Sequence, residues 1–277
     1  MLKLMYITNC PEIAKIAEKS GVDRIFVDME YIGKKDRQGG MNTVQNCHKI
    51  ADIRLLRDHL KSSQIMVRCN PLHLATSEYG SSKEEIDSVI ENGADIVMLP
   101  YFKTVKEVET FVRYVDGRAK TLPLLETPEA VACIDEILRL DGIDEIFVGL
   151  NDLSLGYGKK FMFELLADGT VEELCGKFKN KEIPYGFGGI AALGKGLLPA
   201  EFVIAEHYRL GSTRAILSRS FCDTNLVKEL NQVRLIFDNG LKQIREYEKN
   251  CERGKIDFNE NKRQVGSAVQ KIVENIR

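Results

Sequence analysis

The sequence predicts an α/β protein of the (β/α)8, or TIM, barrel class with a C-terminal helical extension. Short apolar runs alternate with amphipathic helical runs from end to end, which is typical of parallel sheets. Eight such units fit within residues 1–224, the number and size expected of this barrel. A doubly wound open sheet shows the same alternation, but no GxGxxG motif follows the first strand, and the count of eight favours the barrel.

The predicted strands share a core of apolar and β-branched residues. They are KLMYIT (3–8), RIFVDM (24–29), QIMVRCN (64–70), DIVMLPY (95–101), TLPLLET (121–127), EIFVGL (145–150), PYGFGGI (184–190) and TRAILSRSF (213–221). The helical runs between them begin near a turn or capping residue, and most end at a glycine. They include CPEIAKIAEKSG, SKEEIDSVIENGA, TVKEVETFVRYVDG, PEAVACIDEILRLDG and PAEFVIAEHYRLGS.

Two segments lie outside this alternation. We divide the chain into a barrel at 1–224 and a helical extension at 225–277, which we expect to cover the barrel bottom or to reach a neighbouring subunit. Residues 31–48 form a charged, glycine-containing connection, and they are the best candidate for a lid over a site. An ordinary solvated loop is the alternative for this segment.

Composition excludes several function classes. The net charge is −2, from 39 basic and 41 acidic residues without a basic stripe, which disfavours a nucleic-acid partner. No apolar run reaches the length of a membrane span or resembles a signal peptide, so we expect a cytoplasmic protein with no membrane partner. The seven cysteines are scattered without a CxxC pair, which indicates reduced thiols.

Polar residues at the carboxyl ends of the strands are the candidates for chemistry, because barrel enzymes place their active sites there. Glu126 and Asp152 directly follow the fifth and sixth strands. Two carboxylates without His or Cys favour a hard cation, Mg²⁺ or Mn²⁺. The alternative is that each acid caps the following helix. Arg68, in an otherwise apolar strand, requires an anionic partner, either a substrate or an internal carboxylate.

The second strand ends in Asp28, Glu30 and Tyr31. We expect one of the two acids to face the barrel interior and the other to support it from behind. Of the four histidines, His48 follows the candidate lid, and a surface position is the favoured interpretation. The strands carry no interior lysine, which argues against a Schiff-base aldolase.

Five motifs occur in an order that resembles a known family. VDMEY, VRCNP, GADIVMLPYFKTVKEVETFV, LLETPEAV and GIDEIFVGLNDLSLGYG together are similar to the HpcH/HpaI aldolase and citrate lyase β-subunit superfamily. This superfamily includes metal-dependent, class II 2-keto-3-deoxy-acid (pyruvate) aldolases. The resemblance covers roughly residues 5 to 220 and implies a modified (β/α)8 barrel.

The resemblance also implies roles for individual residues. Glu126 and Asp152 match the metal ligands of the family, and Arg68 matches its arginine, which acts on a metal-chelated pyruvyl group. We assign the binding of this group to Arg68, Gly149 and Asn151. Further expected catalytic residues are Asp28, Glu30 and Tyr31. Tyr31 stands where family aldolases usually carry a proton-transferring histidine, and it is the main departure from the pattern.

The leading functional hypothesis is therefore a metal-dependent carbon–carbon lyase, an aldolase acting on a 2-keto acid and an aldehyde, with pyruvate or a close analogue forming the enolate. Two alternatives stay open: an acyl-CoA lyase of the citrate or malyl-CoA type, and a non-catalytic barrel that binds a metal and a keto acid. The resemblance also implies a homo-oligomer, because hexamers with exchanged C-terminal helices are common in the family.

Overall fold

Eight short apolar segments form parallel strands that close into a barrel in sequence order. The computed structural model describes residues 1–34, 46, 48–77 and 79–276, so residues 35–45 and 47 of the predicted lid lie outside it. The strands are β1 (Lys3–Ile7), β2 (Arg24–Asp28), β3 (Gln64–Arg68), β4 (Ile96–Leu99), β5 (Lys120–Leu125), β6 (Ile146–Val148), β7 (Tyr185–Ile190) and β8 (Arg214–Leu217). The predicted barrel class is confirmed.

Helices connect successive strands and cover the outside of the barrel. They are α1 (Pro11–Lys19), α2 (Ile50–Arg57), α3 (Ser82–Glu91), α4 (Val105–Val115), α5 (Pro128–Ala132), α6 (Ile134–Ile137), α7 (Leu150–Gly156), α8 (Glu164–Ala167), α9 (Thr170–Asn180) and α10 (Ala200–Leu210). Two long helices follow the last strand: α11 (Leu230–Glu252) and α12 (Phe258–Asn275). No helix in the described part of the chain is both long and apolar enough to cross a membrane.

Side chains alternate between the two faces of each strand, which separates two apolar cores. The interior core fills the barrel with bulky residues from six strands. Its buried members are Met5, Phe26, Met66, Ile96, Met98, Leu122, Leu124 and Phe147. The larger core lies between the strands and the surrounding helices. Because the interior is packed, only the ends of the barrel are available for polar groups.

The C-terminal extension packs on its own barrel. Helix α11 contacts α1 and α10, and α12 contacts α10 and α8. At the start of β1, the Leu2 N–H donates to Glu248 Oε1 of α11 at 2.5 Å. On α12, Asn261 Nδ2 donates to Glu206 Oε1 of α10 at 2.9 Å. These contacts place the far end of α11 at the amino-terminal rim of the barrel, opposite the predicted site.

His207 of α10 provides a pH-dependent contribution to folding. It is fully buried and stacks on Phe187, with ring centroids 3.9 Å apart, while its Nδ1 pairs with Ser212 Oγ at 2.7 Å. Burial lowers the pKa of His207 to about 3. The unfolded chain therefore binds a proton below pH ~6.5 that the folded chain does not, and stability decreases as the pH falls from there towards 3.

The unfolding free energy of the wild type decreases between pH 7 and pH 4.5. We expect this decrease to be about 2–3 kcal/mol smaller in His207→Phe. The phenyl ring keeps the stacking on Phe187 but cannot be protonated. Urea denaturation of both proteins at the two pH values measures the difference. Equal pH dependence in variant and wild type would show that His207 does not carry it.

Candidate functional site

A cavity of about 370 Å³ opens at the carboxyl ends of the strands. This volume lies in the range of small-molecule sites, and the position is the one that barrel enzymes use. Several charged side chains line the cavity, which is unusual for a space whose base is the apolar barrel interior. They are Asp28, Lys34, Arg68, Glu126, Asp152, Arg219 and Asp223.

Glu126, directly after β5, is held in place by its surroundings. It is 4% exposed, and its Oε1 accepts the Tyr101 N–H at 2.9 Å. Tyr101 adopts a left-handed backbone conformation with φ of 49°, which is costly for a residue other than glycine. A Cβ at Gly149 would lie 2.7 Å from Glu126 Oε2, so only glycine leaves room for this carboxylate. The predicted substrate residue Gly149 lines the cavity, and its lack of a side chain leaves space for Glu126.

Asp152 lies in the first turn of α7, is buried and lines the same cavity. The predicted substrate residue Asn151 also lines it, and its Nδ2 contacts Asp152 Oδ1 at 3.3 Å. Burial, followed by the nearby charges of Glu30 and Asp152, raises the pKa of Glu126 well above its usual range. A bound cation would offset both the burial of the Glu126 carboxylate and its repulsion by the neighbouring carboxylates, so this arrangement favours a cation.

The capping alternative does not apply to Glu126. The side chain of Thr127, not that of Glu126, caps α5 by accepting the Ala130 N–H. No three His, Cys, Asp or Glu side chains in the described residues form a metal-holding cluster. Two carboxylates on one cavity are oxygen donors of the kind that a hard divalent cation prefers.

Glu126 and Asp152 also line a second cavity, of about 470 Å³. Tyr101 and Lys103 form part of its wall. The Lys103 ammonium pairs there with Glu129 at 3.0 Å. Both acids thus border two cavities, and the one of about 370 Å³ that Arg68 also lines is called the inner cavity.

Arg68, at the end of β3, forms a bidentate ion pair with Asp28 of β2. Its Nε and Nη2 atoms donate to the two Asp28 carboxylate oxygens at 2.8 and 2.9 Å, and its Nη1 lies 3.3 Å from Glu30 Oε2. The expectation that Asp28 and Glu30 face opposite sides is wrong. Residues two positions apart share a face of an extended chain, and both acids reach the same guanidinium. The Arg68 side chain is still 15% exposed, and it lines the cavity.

Asp28 also holds Lys34 and Asn46, from the connection after β2. Lys34 Nζ donates to Asp28 Oδ2 at 2.8 Å, and Asn46 Nδ2 donates to the same oxygen at 3.0 Å. Burial raises the pKa of Asp28, but the charges and hydrogen bonds of Arg68 and Lys34 outweigh it and hold the pKa well below its usual range. Asp28 is therefore a permanent carboxylate that positions two cations.

The structure does not bring Tyr31 to the cavity. Tyr31 is 36% exposed, its N–H donates to Asn70 Oδ1, and its hydroxyl donates to the His48 carbonyl oxygen. The prediction of a surface position for His48 is wrong, because His48 is 6% exposed and its Nδ1 accepts the Asp28 N–H at 3.0 Å. Burial lowers the pKa of His48 although Asp28 lies beside it. Neither Tyr31 nor His48 is among the described residues that line the cavity.

The charges around the cavity do not balance. Among the described residues, the lining groups and Glu30 supply five carboxylates and three cations, an excess of two negative charges when all are ionised. The pairing of Lys34 with Asp28 and the position of Asp223 on the cavity could not be predicted from the sequence. Both residues lie in loops whose paths no periodicity predicts. A divalent cation would neutralise this excess.

Comparisons with known proteins identify the family. Residues 3–163 match the sequence profile of the HpcH/HpaI aldolase/citrate lyase family. The chain belongs to this family. A segment of 37 residues is 57% identical to a hydroxypyruvate/pyruvate aldolase of Rhizorhabdus wittichii, and the match covers 13% of this chain and only 15% of that protein.

Two solved structures of family members share the fold. An HpcH/HpaI aldolase of Desulfitobacterium hafniense has a TM-score of 0.59 at 14% identity, over 84% of this chain and 93% of that one. An HpcH/HpaI aldolase/citrate lyase family protein of Burkholderia cenocepacia has a TM-score of 0.59 at 13% identity, over 84% and 95% of the two chains.

Proposed function

We propose that this protein is a divalent-metal-dependent aldolase that makes or breaks a carbon–carbon bond next to a 2-keto acid. Pyruvate or a close analogue is the enolate-forming partner, and an aldehyde is the acceptor. The observation that carries the proposal is the buried acid pair of Glu126 and Asp152, which lies on one small cavity with the guanidinium of Arg68.

In this proposal Glu126 and Asp152 hold Mg²⁺ or Mn²⁺. When bound, such a cation polarises the 2-keto oxygen and stabilises negative charge on it. Arg68 binds the carboxylate or the enolate oxygen of the keto acid, and Asp28 and Glu30 fix the guanidinium in the required orientation. Asn151 and the backbone at Gly149 border the same space and contact the pyruvyl group. In this proposal Tyr31 has a positioning role, because its hydroxyl donates to the His48 carbonyl oxygen and so supports the chain at this rim.

The family name covers aldolases and citrate lyases, so an acyl-CoA lyase is the second candidate. The inner cavity of about 370 Å³ suits a keto acid with a small aldehyde. The relative named for hydroxypyruvate and pyruvate aldol chemistry also supports the aldolase. Saturation-transfer NMR with acetyl-CoA tests the alternative, because a CoA lyase should show transfer to the adenine protons and this aldolase should not.

The metal requirement gives the direct test. We expect the protein, freed of metal by EDTA and dialysed, to release no pyruvate from 4-hydroxy-2-keto acids, and added MnCl₂ or MgCl₂ to restore pyruvate release. A coupled assay with lactate dehydrogenase and NADH measures the rate. Full activity in the chelated protein would exclude the proposed mechanism. Zinc and calcium salts serve as controls that compare other divalent cations with Mn²⁺ and Mg²⁺.

A further inference from the structure

Lys34 is the one lysine among the described residues that line the inner cavity. Its side chain is 5% exposed, and Nζ lies 2.8 Å from Asp28 Oδ2 and 3.6 Å from Glu30 Oε2. An ammonium carries three N–H donors. Asp28 takes one, and Glu30 lies beyond hydrogen-bond distance. Lys34 therefore has donors left for a molecule in the cavity.

Four other polar groups near the cavity are poorly suited to move a proton. Asp28 is a permanent carboxylate, for the reasons given above. The Tyr6 hydroxyl already donates to the Cys222 carbonyl oxygen at 3.0 Å, and burial raises its pKa. Tyr31 and His48 do not line the cavity. A bond-forming step that generates an alkoxide nevertheless needs a proton donor on this cavity.

Resting on the proposed function, we propose that Lys34 is the catalytic acid at the acceptor oxygen. The electron pair of the enolate carbon forms the new C–C bond, and the C=O π pair of the aldehyde moves to its oxygen. That oxygen takes a proton from Lys34 Nζ. Water reprotonates the amine and accepts the proton that pyruvate loses from its methyl group, so protons balance. Cleavage follows the same transfers in reverse.

The test separates enolate formation from bond formation. Lys34→Arg keeps a cation beside Asp28 and Glu30, but a guanidinium does not give up its proton in proteins. With MnCl₂ in D₂O, we expect Lys34→Arg to exchange pyruvate methyl protons at the wild-type rate by ¹H NMR. Its aldol turnover should fall about 10²–10⁴-fold, the range of general acid–base contributions. The melting temperature and the Mn²⁺ affinity of Lys34→Arg should match those of the wild type. The control is Lys15→Arg, at an exposed site on α1, and its exchange rate, turnover, melting temperature and Mn²⁺ affinity should all equal those of the wild type.

Four outcomes overturn the inference, and the last of them also overturns the proposed function. Turnover of Lys34→Arg within threefold of the wild type would reduce Lys34 to an ion-pair partner. An equal fall in exchange and turnover would place it in enolate formation or in binding. A pyruvate adduct on Lys34 after borohydride reduction would make it a nucleophile. If the wild type with Mn²⁺ exchanges no pyruvate protons, the proposed function itself fails, and the role of Lys34 falls with it.

Discussion

Glu126→Gln is expected to lose aldol turnover by a factor on the order of 10³ or more, about 4 kcal/mol of transition-state stabilisation. The amide has nearly the same volume as the carboxyl group and still accepts the Tyr101 N–H, so the loop around it stays intact. What disappears is the charge beside Asp152 that would bind the cation. Turnover is measured as pyruvate release with saturating MnCl₂.

The same variant should be at least as stable as the wild type in the absence of metal. Burial and the charges of Glu30 and Asp152 disfavour the ionised Glu126 carboxylate, and the neutral amide avoids this cost. Adding MnCl₂ should raise the melting temperature of the wild type, because a ligand that binds only the folded state stabilises it. The melting temperature of Glu126→Gln should not respond.

Glu136→Gln is the matched control, because Glu136 is an exposed acid on α6. It should keep both the turnover and the stabilisation by Mn²⁺. If Glu126→Gln retained either property at the level of this control, the assignment of Glu126 as a metal ligand would be incorrect. A loss in both variants would indicate a general defect in the protein and not a site effect.

The part of the site at the strand ends could be predicted from the sequence, because the barrel imposes it. All parallel strands end at the same rim, so Asp28, Arg68 and Glu126 had to lie near one another once the strand count was recognised. The pairing of β2 with β3 sets Asp28 directly beside Arg68 in register. The predicted strands exceed the observed ones mainly at the carboxyl ends, where the chain leaves the sheet to form the site.

The parts of the site that come from connections could not be predicted. Lys34 and His48 follow β2 in a segment without apolar periodicity, and nothing in the residue pattern sets the direction in which it folds. His48 is buried and accepts a hydrogen bond from the Asp28 backbone, a contact across 20 residues. The left-handed conformation of Tyr101 is similarly invisible, because non-glycine residues rarely adopt it.

Glu145→Gln should destabilise the protein by about 3–5 kcal/mol, the cost of breaking a buried ion pair by removing one partner. Glu145 precedes β6 at the amino-terminal end of the barrel and is held by two guanidinium groups. Arg24, which begins β2, contacts its carboxylate oxygens at 2.7 and 2.6 Å, and Arg214, which begins β8, does so at 2.9 and 3.1 Å. The glutamine would leave both cations buried without a counter-ion. Urea denaturation at pH 7 measures the loss.

A triple variant provides the control. Replacing Arg24 and Arg214 with methionine and Glu145 with leucine removes all three charges together, so no buried charge is left unpaired. Buried ion clusters replaced as a whole by apolar residues are often neutral or more stable, so we expect the triple variant to recover most of the loss. A triple variant as unstable as Glu145→Gln would mean that packing, not charge, explains the effect.

The pH dependence gives an independent check of the same cluster. Burial of Glu145 raises its pKa, but hydrogen bonds and charges from Arg24 and Arg214 outweigh burial and lower the pKa to about 2. Since the unfolded carboxyl titrates near pH ~4.3, this stabilisation is complete above that pH and is lost as the pH falls towards 2. The triple variant should lack this part of the acid sensitivity. The cluster lies at the end of the barrel opposite the cavity. The Mn²⁺-dependent pyruvate release of the triple variant at pH 7 should therefore equal that of the wild type.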